Sequence, residues 1–586
     1  MLQGTSSESK SESNAGEKSA NEVIRLIDLQ ISDLRESIRV LHSQRNDHLP
    51  ISKLPVEILT KIFLLHQKNL MRIYPATLEW IGITHVSRRW REIALNFSGL
   101  WIHIPFDHPK WAKEMIARSQ QACLIVRATY DPSKAGSQAK LLRNFLQQHL
   151  SRVQVLDIWR TSPQLIKKLF QDIQPTSVPS LSTLSLSMQW GELGTEPSAV
   201  ESLQIVDSRL LDTNSLRKVE ASTALGWDFK LFSGLTHLCL GNGDRNMART
   251  QTSQRNFLDA LRRMPTLQCL DLTGPVLPEA VDGSSLDPVY LPDLRDLNIF
   301  DTVSTIEFFL HHVTFPPTTR TAIGCKHLGA VLRVAHISPV LVPLTRLLSA
   351  RPNTLKLHHI EFTCSEDSES EDWDMIDLKF KGWVSLGPSS SSLKGYNPNF
   401  PSDNSDFTFF VRWNLPTDNL PPDIDEFIGG LFEAFPQDDM VSLSLSSYDI
   451  NDTWFTPFSR RIGQLPALNA LYLNYISSAQ CLLDLDCDAP QEGVNPSTTT
   501  YPALLYLDFS NCEIKAPALK TLYNCLKKRS ERGLGPRKLR VDLRGVQQVD
   551  KIKRAIALLE KVVEVAWEVD SDFEDSDSDT DSYLLY

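Results

Sequence analysis

The chain has 586 residues, a formal net charge of −11 at pH 7 and 41% hydrophobic residues. This length accommodates several domains or one long repeat array, and the acidic balance argues against broad binding to nucleic-acid phosphates. The nine cysteines are odd in number and form no Cys-x-x-Cys pair, which is typical of reduced thiols in an intracellular protein, cytoplasmic or nuclear. Residues 1–20 contain no apolar signal core, and prolines break the apolar stretch 336–350. We therefore expect neither a secretory signal nor a membrane-spanning helix.

The beginning of the chain is polar and is followed by a heptad pattern. Residues 1–19 are rich in Ser, Glu and Lys, a composition that predicts disorder. Residues 20–48 are predicted to form a helix, because apolar side chains recur in alternating steps of three and four. These side chains are Ile24, Ile27, Ile31, Leu34, Ile38 and Leu41. The pattern lasts under three heptads, so two interpretations stay open: the helix packs on the following domain, or it mediates weak self-association.

A small helical module is predicted over residues 49–104. Pro55 fits the first turn of a helix, where its missing N–H costs nothing, and Glu57 lies near the positive end of the helix dipole. The apolar residues that follow cover more than one face of this helix, so a single core contact does not account for all of them. Because three short helices are near the lower size limit for independent folding, we expect part of this apolar surface to bind a partner.

A Leu-x-x-Leu-x-Leu pattern recurs from about residue 121, often with Pro two positions before its first Leu. A short strand and a helix that repeat every roughly 20–30 residues or slightly more are typical of leucine-rich repeats, whose units stack because one unit cannot bury its apolar face alone. Only the last copy has Asn or Cys eight positions after its first Leu, namely Cys512, so we expect an irregular array. The copies are "VQVLDI" (153–158), "PSLSTLSL" (179–186), "LTHLCL" (235–240), "PTLQCLDL" (265–272), "PDLRDLNI" (292–299), "MVSLSL" (440–445), "PALNALYL" (466–473) and "PALLYLDF" (502–509).

The predicted fold class is therefore α/β. It comprises an N-terminal helix and a three-helix module, followed by an irregular leucine-rich-repeat-like α/β solenoid with a loop-bearing β insertion. The solenoid is assigned to residues 121–360 and 426–569, the insertion to residues 361–425, and an acidic disordered tail to residues 570–586. The alternative is an ordinary α/β domain with leucine-rich strands.

The positions between the leucines predict a second set of functional residues. In such strands the leucines point into the core, and the intervening side chains lie on the open face of the sheet. We expect this mixed polar and aromatic face to bind a protein target. Its predicted members are His237, Asp271, Asp296, Asn298, Tyr472, Tyr506 and Asp508.

The module at residues 49–104 resembles the F-box family. The family pattern is Leu-Pro-x-Glu-(Leu/Ile)-Leu-x-x-Ile-(Phe/Leu), a spacer, then Val-(Cys/Ser)-(Arg/Lys)-x-Trp-Arg-x-(Ile/Leu)-Ala and a closing Leu-Trp. The resemblance covers about fifty residues in two separated halves, although the spacer at 64–82 is longer than in a compact F-box. The arrangement with a heptad helix and loose leucine-rich repeats is similar to the large F-box families of mushroom-forming fungi. The matching residues are Leu54, Pro55, Glu57, Ile58, Leu59, Ile62, Phe63, Val86, Ser87, Arg88, Trp90, Arg91, Ile93, Ala94, Leu100 and Trp101.

This resemblance implies the substrate-recognition subunit of a Skp–cullin–F-box ubiquitin ligase, which is not itself catalytic. The F-box would bind the Skp-type adaptor and through it a cullin–RING ligase, while the repeats would bind a protein target for ubiquitination. The residues that the family pattern assigns to adaptor contact are Leu54, Pro55, Ile58, Leu59, Ile62 and Phe63. The residues assigned to the core of the module are Val86, Trp90, Ile93, Ala94, Leu100 and Trp101.

Other chemistries lack the residues that they require. The stretch "GNGDRN" (241–246) begins like a dinucleotide loop, but Asn246 stands where the third Gly is needed. No phosphate-binding loop, zinc-protease or serine-hydrolase motif occurs, and no set of histidines and cysteines has zinc spacing, so we expect no cofactor and no metal. One small basic cluster in an acidic chain argues against nucleic-acid binding. The alternative function is a leucine-rich-repeat scaffold that does not join a ubiquitin ligase.

Overall fold

The computed structural model shows a mixed α/β protein with a large, mostly parallel sheet, which confirms the fold class in this coarse form. By its internal contacts the chain divides into two compact units, and the second begins, apart from a short segment, at Leu184. The structure describes residues 9–73, 77–106, 108–129, 135–161, 169, 180–188, 215–222, 232–241, 253–274, 276–279, 286–327, 333–367, 375–384, 405–414, 424–435, 437–448, 462–475, 485, 500–510, 512, 516–542 and 549–568. The acidic tail predicted at residues 570–586 lies outside these ranges.

The first unit is mainly helical at its beginning. Its first helix begins at Ser9, earlier than the predicted start at residue 20 and inside the segment predicted to be disordered. Two 3-10 segments, Glu79–His85 and Ser98–Trp101, replace regular helix in the long spacer and at the closing Leu-Trp. The α-helices are α1 (Ser9–Asp47), α2 (Val56–Ile73), α3 (Arg88–Asn96), α4 (Pro109–Arg118) and α5 (Ala135–His149).

Aromatic side chains form the core of the helical module. Phe63 of α2 is fully buried, and its ring centroid lies 4.9 Å from that of Trp90 on α3. The rings of Trp80 and Trp101 lie 5.3 Å apart, and both are buried. Gln67 is the buried polar residue of α2, and its Nε2 donates a hydrogen bond of 2.9 Å to the carbonyl of Leu100. This bond satisfies a group whose burial would otherwise be costly, and it ties α2 to the end of the module.

Three parallel strands complete the described part of the first unit. Strand β1 (His103–Pro105) pairs with β2 (Leu124–Thr129), and β2 pairs with β3 (Val153–Thr161). Along β2 the side chains alternate between buried and partly or fully exposed, so one face of these strands lies on the core and the other is open.

The second unit contains a ladder of strands. Most are short, and alternate side chains are buried, as in Asp296–Thr302. Several coincide with the predicted leucine copies, for example at residues 235–240, 265–272 and 292–299. The strands from the unit boundary onward are β4 (Thr183–Met188), β5 (Lys218–Ser222), β6 (His237–Gly241), β7 (Cys269–Thr273), β8 (Val289–Tyr290), β9 (Asp296–Thr302), β10 (Val313–Thr314), β11 (Arg320–His327), β12 (His359–Asp367), β13 (Met375–Trp383), β14 (Phe407–Asn414), β15 (Ser442–Tyr448), β16 (Ala470–Asn474), β17 (Tyr506–Ser510), β18 (Lys538–Asp542) and β19 (Glu564–Glu568).

The order of this ladder departs from chain order at one place. The spatial order across the ladder begins with β5, β6, β7, β9 and β11. It continues with β14, β13 and β12, and it ends with β15 to β19 in chain order. Among the described strands, every pair in this ladder is parallel except the two that β13 makes with β12 and β14. Strands β8 and β10 form a separate parallel pair. The antiparallel strand lies in the segment that the sequence predicted as an insertion, 361–425.

The antiparallel segment carries a buried ion pair. Asp377 of β13 lies opposite Arg412 of β14, and its two carboxylate oxygens accept hydrogen bonds of 2.7 Å from Nε and Nη2 of that arginine. The Asp377 side chain is 4% exposed, and Lys379 Nζ lies 3.3 Å from its Oδ2. Burial acts to raise the pKa of Asp377, but the bonds from Arg412 and the charge of Lys379 outweigh it, so the pKa lies below its usual value.

Helices lie between many of the strands and contribute to the core. The helix α6 begins after Ser253, whose hydroxyl accepts a hydrogen bond of 3.3 Å from the amide of Asn256. Its Phe257, Leu258 and Leu261 are fully buried. Within the described ranges, the α-helices of this unit are α6 (Gln254–Arg262), α7 (Val303–His312), α8 (Val334–Ser349), α9 (Ile424–Glu433), α10 (Ala516–Glu531) and α11 (Val549–Leu559).

Candidate functional site

The six residues predicted to contact an adaptor fall on two different faces of the module. Leu59 and Phe63 are fully buried, so the structure places them in the core and a partner cannot reach them. Leu54 is half-buried, and its carbonyl accepts a hydrogen bond of 2.8 Å from Nη2 of Arg89. Pro55, Ile58 and Ile62 are the exposed members of the set.

The exposed side of α2 forms an apolar surface. Ile58 is 41%, Ile62 37% and Leu65 60% exposed. With about 100° between consecutive helical residues, these three side chains lie within about 60° of one another, while Leu59 and Phe63 lie on the neighbouring flank of the helix, which is buried. We call Ile58, Ile62 and Leu65 the α2 surface. Large aliphatic side chains aligned along one exposed helical face are typical of a protein-binding site.

Of the six residues predicted for the core of the module, three are buried, two are half-buried and one is exposed. Ala94, Leu100 and Trp101 are buried, and Trp90 and Ile93 are half-buried. Val86 is 56% exposed, so its assignment to the core is wrong. It precedes the helix, since α3 begins at Arg88, and it therefore does not follow the helical stripe of the later residues.

The spacer contributes core residues that the sequence analysis did not assign. Trp80 and Ile81 are buried, and so is Gln67 in the part of α2 that belongs to the spacer. The available signal was the tryptophan itself, because an aromatic residue that large is seldom left in a polar loop. The long spacer thus completes the core of the module instead of forming a loop outside it.

Four of the seven residues predicted to bind a target lie on the neighbouring strands β6, β7 and β9: His237, Asp271, Asp296 and Asn298. They belong to two rows across the ladder, and the first row includes two residues that were not predicted, Cys269 and Arg320. His237 of β6, Cys269 of β7, Asp296 of β9 and Arg320 of β11 form one row across the ladder. Arg320 Nε lies 2.9 Å from Asp296 Oδ1, and their side chains are 51% and 45% exposed. This row presents an accessible ion pair, with His237 on the far side of Cys269. We call His237, Asp296 and Arg320 the charged row.

The adjacent row on the same strands is more buried. Asp271 of β7 and Asn298 of β9 are opposite each other, and Asn298 Nδ2 donates a hydrogen bond of 3.0 Å to Asp271 Oδ2. Burial raises the pKa of Asp271, and the charge of Glu220 raises it further, against the opposing effect of Asn298. Asp271 is therefore held by its neighbour and is a less accessible contact than Asp296.

Two cysteine thiols lie among these residues. The Cys239 thiol of β6 is hydrogen-bonded to the sulfur of Cys269 on β7. This bond is the main reason that the pKa of Cys239 is raised and that of Cys269 is lowered. The Cys269 thiol is therefore the more acidic of the pair.

Of the remaining three predicted residues, Tyr472 and Asp508 are buried and Tyr506 is half-buried. Tyr472 of β16 is 7% exposed, and Asp508 of β17 is fully buried. The rings of Tyr472 and Tyr506 lie 5.3 Å apart, and the Tyr506 hydroxyl donates a hydrogen bond of 3.0 Å to Asp508 Oδ2. Every residue of β16 is buried, so side chains on both faces of this strand are covered. The prediction that Tyr472 and Asp508 face a target is wrong for that reason.

The first unit also contains a cavity of about 370 Å³. Its lining includes Trp80, Trp159, His103 and the pair of Arg127 and Asp157, whose Nε and Oδ2 lie 3.7 Å apart. Burial, assisted by the charge of Arg127, lowers the pKa of His103 to about 4, so this imidazole is neutral at pH 7. The cavity suits an apolar group beside one hydrogen-bonding group. Sequence reasoning did not find it because its residues come from separate elements.

Comparison with known proteins does not assign the chain to a family. A scan against protein-family models finds no match, and a search of curated proteins finds no significantly similar sequence. Within the described ranges, no cluster of three or more His, Cys, Asp or Glu side chains could hold a metal ion. No described helix has both the length and the apolar character needed to cross a membrane.

Proposed function

We propose that this protein is the substrate-recognition subunit of a Skp–cullin–F-box ubiquitin ligase. Residues 49–104 dock the Skp-type adaptor, and the strand ladder of the second unit binds a protein target. The protein itself is a non-catalytic receptor, and it needs no cofactor for this role.

The observation that carries the proposal is the division of α2 into two apolar faces. One face packs Leu59 and Phe63 into the core of the module. The other exposes Ile58, Ile62 and Leu65 at 41%, 37% and 60%. Exposed aliphatic side chains aligned along one helix are stabilised when a partner covers them. Ile58 and Ile62 also match the F-box-like pattern, and this resemblance supports the adaptor as that partner.

Binding of the purified full-length chain to a Skp-type adaptor tests this proposal. Ile58→Asp combined with Ile62→Asp places two charges in the proposed interface, where their desolvation is unfavourable, and should weaken adaptor binding at least about tenfold. Leu64→Asp is the matched control, because Leu64 lies on the same helix, is 36% exposed and points about 160° away from Ile62. Its effect should stay within about twofold.

The result that overturns the proposal is a folded wild-type chain that captures no adaptor. Circular dichroism of each variant establishes that α2 is intact. A folded chain without adaptor binding would favour the scaffold alternative, in which the helical module has no role in a ligase.

The charged row is the part of the ladder that we propose for target binding. His237, Asp296 and Arg320 are accessible and lie in register, whereas Tyr472 and Asp508 are buried. Exchanging the charges by Asp296→Arg with Arg320→Asp preserves the ion pair while reversing its polarity. Proteins that are purified with the wild type and are ubiquitinated in its presence should lose enrichment with the exchanged variant. Unchanged enrichment would exclude this row as the target site.

A further inference from the structure

The six heptad residues of α1 are uncovered. Their exposed fractions run from 39% for Ile31 to 64% for Leu34 and Leu41. The interpretation that this helix packs its apolar side on the following domain is therefore wrong for this structure. An isolated helix that exposes so many large aliphatic side chains is unfavourable in water, and its stability normally comes from packing. We call Ile24, Ile27, Ile31, Leu34, Ile38 and Leu41 the α1 seam.

An ion pair between α1 and α3 lies on the side of α1 away from the seam. Glu36 Oε1 lies 3.7 Å from Nη2 of Arg88 on α3. In a heptad with Ile31 at position a and Leu34 at position d, Glu36 occupies position f, which faces away from the seam. Glu36 also pairs with Arg39 at position b. The module thus approaches the back of α1 and leaves the seam free along its whole length.

The residues of the seam specify the kind of partner. Ile occupies all three a positions (24, 31 and 38), and Leu occupies two of the three d positions (34 and 41). β-branched residues at a with leucine at d favour two-stranded parallel coiled coils. Another helix with the same spacing is therefore the best geometric match.

The flanking positions are compatible with a second copy of the same helix. In a parallel pair, each g position faces the following e position of the partner. Here Val23 would face Asp28, Gln30 would face Arg35, and Ser37 would face His42. None of these three contacts brings like charges together, because every g residue is uncharged. The charged residues Arg25, Glu36 and Arg39 occupy outer positions.

From these observations we propose that the α1 seam forms a parallel two-stranded coiled coil with the α1 seam of a second copy of this chain. The seam from Ile24 to Leu41 extends for about 27 Å at 1.5 Å per residue. Such a contact is short, so association depends on protein concentration. It needs neither the adaptor nor the target, and it stands or falls independently of the proposed ligase function.

The test measures the mass of the full-length chain, without adaptor, by sedimentation equilibrium over about 1 to 100 μM, the range in which a weak dimer dissociates. The wild type should move from the monomer mass of 66.2 kDa toward twice that value. Leu34→Asp, at a d position, should remain monomeric. Leu29→Asp is the matched control: Leu29 has the same side chain, lies on the same helix and is 52% exposed, but it occupies position f, and its variant should dimerise as the wild type does.

Two variants of Gln30 test the parallel arrangement. Gln30→Lys places a positive charge against Arg35 of the second copy and should weaken the dimer severalfold, whereas Gln30→Glu should strengthen it. The proposal is overturned if the wild type stays monomeric over the whole range, or if Leu34→Asp dimerises like Leu29→Asp. Equal dimer affinities for the two Gln30 variants would overturn the parallel arrangement.

Discussion

Replacing Phe63 with alanine should destabilise the helical module, whereas Ile62→Ala should leave it almost intact. Phe63 is fully buried with its ring 4.9 Å from Trp90, and truncation of a buried Phe costs about 3–5 kcal/mol because the cavity does not collapse completely. Ile62 is 37% exposed, so its truncation removes less buried area and should cost about 1 kcal/mol or less. The two neighbours thus differ by at least about 2 kcal/mol in their effect on local stability.

Hydrogen exchange followed by mass spectrometry resolves this difference within a large protein, because peptides from α2 report on the module alone. Every 1.4 kcal/mol corresponds to a factor of about ten in the opening equilibrium. Exchange in α2 should therefore accelerate at least about a hundredfold in Phe63→Ala and at most about fivefold in Ile62→Ala. If the two variants accelerate exchange equally, Phe63 does not carry the core, and the division of α2 into a buried and a binding face is refuted.

Two further predictions concern the second unit. Asp377→Asn should lower the stability of this unit by about 3 kcal/mol at pH 7, because Arg412 loses a buried ionic partner. The pKa of Asp377 is lowered in the folded chain, so its ionised form contributes to stability above about pH 4 and this contribution is lost as the pH falls further. The difference in melting temperature between wild type and variant should therefore be largest above about pH 4 and should shrink on acidification. A difference that grows on acidification would contradict this prediction. Cys239→Ala removes the hydrogen bond that lowers the pKa of Cys269, so alkylation of Cys269 by iodoacetamide at pH 7.5 should slow, as followed by peptide mass spectrometry. Equal or faster alkylation would show that the Cys239 thiol does not activate its neighbour.

The sequence predicted which segments are helix and strand better than it predicted which side chains a partner can reach. The leucine copies mark strands because their apolar alternation is a local property. Whether Leu59 and Phe63 face the core depends on where residues distant in the sequence, such as Trp90 and Leu100, lie in the folded module. A local sequence pattern does not contain this information. The F-box-like pattern specifies residue types at these positions and does not separate core from contact.

The spatial order of the strands in the ladder could not be predicted from local sequence patterns either. The alternation of apolar and polar residues along β13 is the same whether its neighbours run parallel or antiparallel to it. The buried Asp508 illustrates the same limit, since an intervening position is exposed only if nothing covers that face of the sheet. The exposure of the α1 seam could not be predicted either, because a heptad pattern fits packing within one chain as well as packing between two.

The reversal at β13 has a consequence for how the second unit folds. In a regular repeat array each new unit adds to the one made just before it, so folding can spread along the chain. Here the strand next to β11 is β14, so Ile323 pairs with Phe409 only after the intervening chain has been placed. Growth from β5 to β11 therefore stops until a long loop closes, which is an entropically unfavourable and slow event. The strands from β5 to β11 and those from β15 to β19 are thus expected to behave as separate cooperative folding units, joined last by the antiparallel segment.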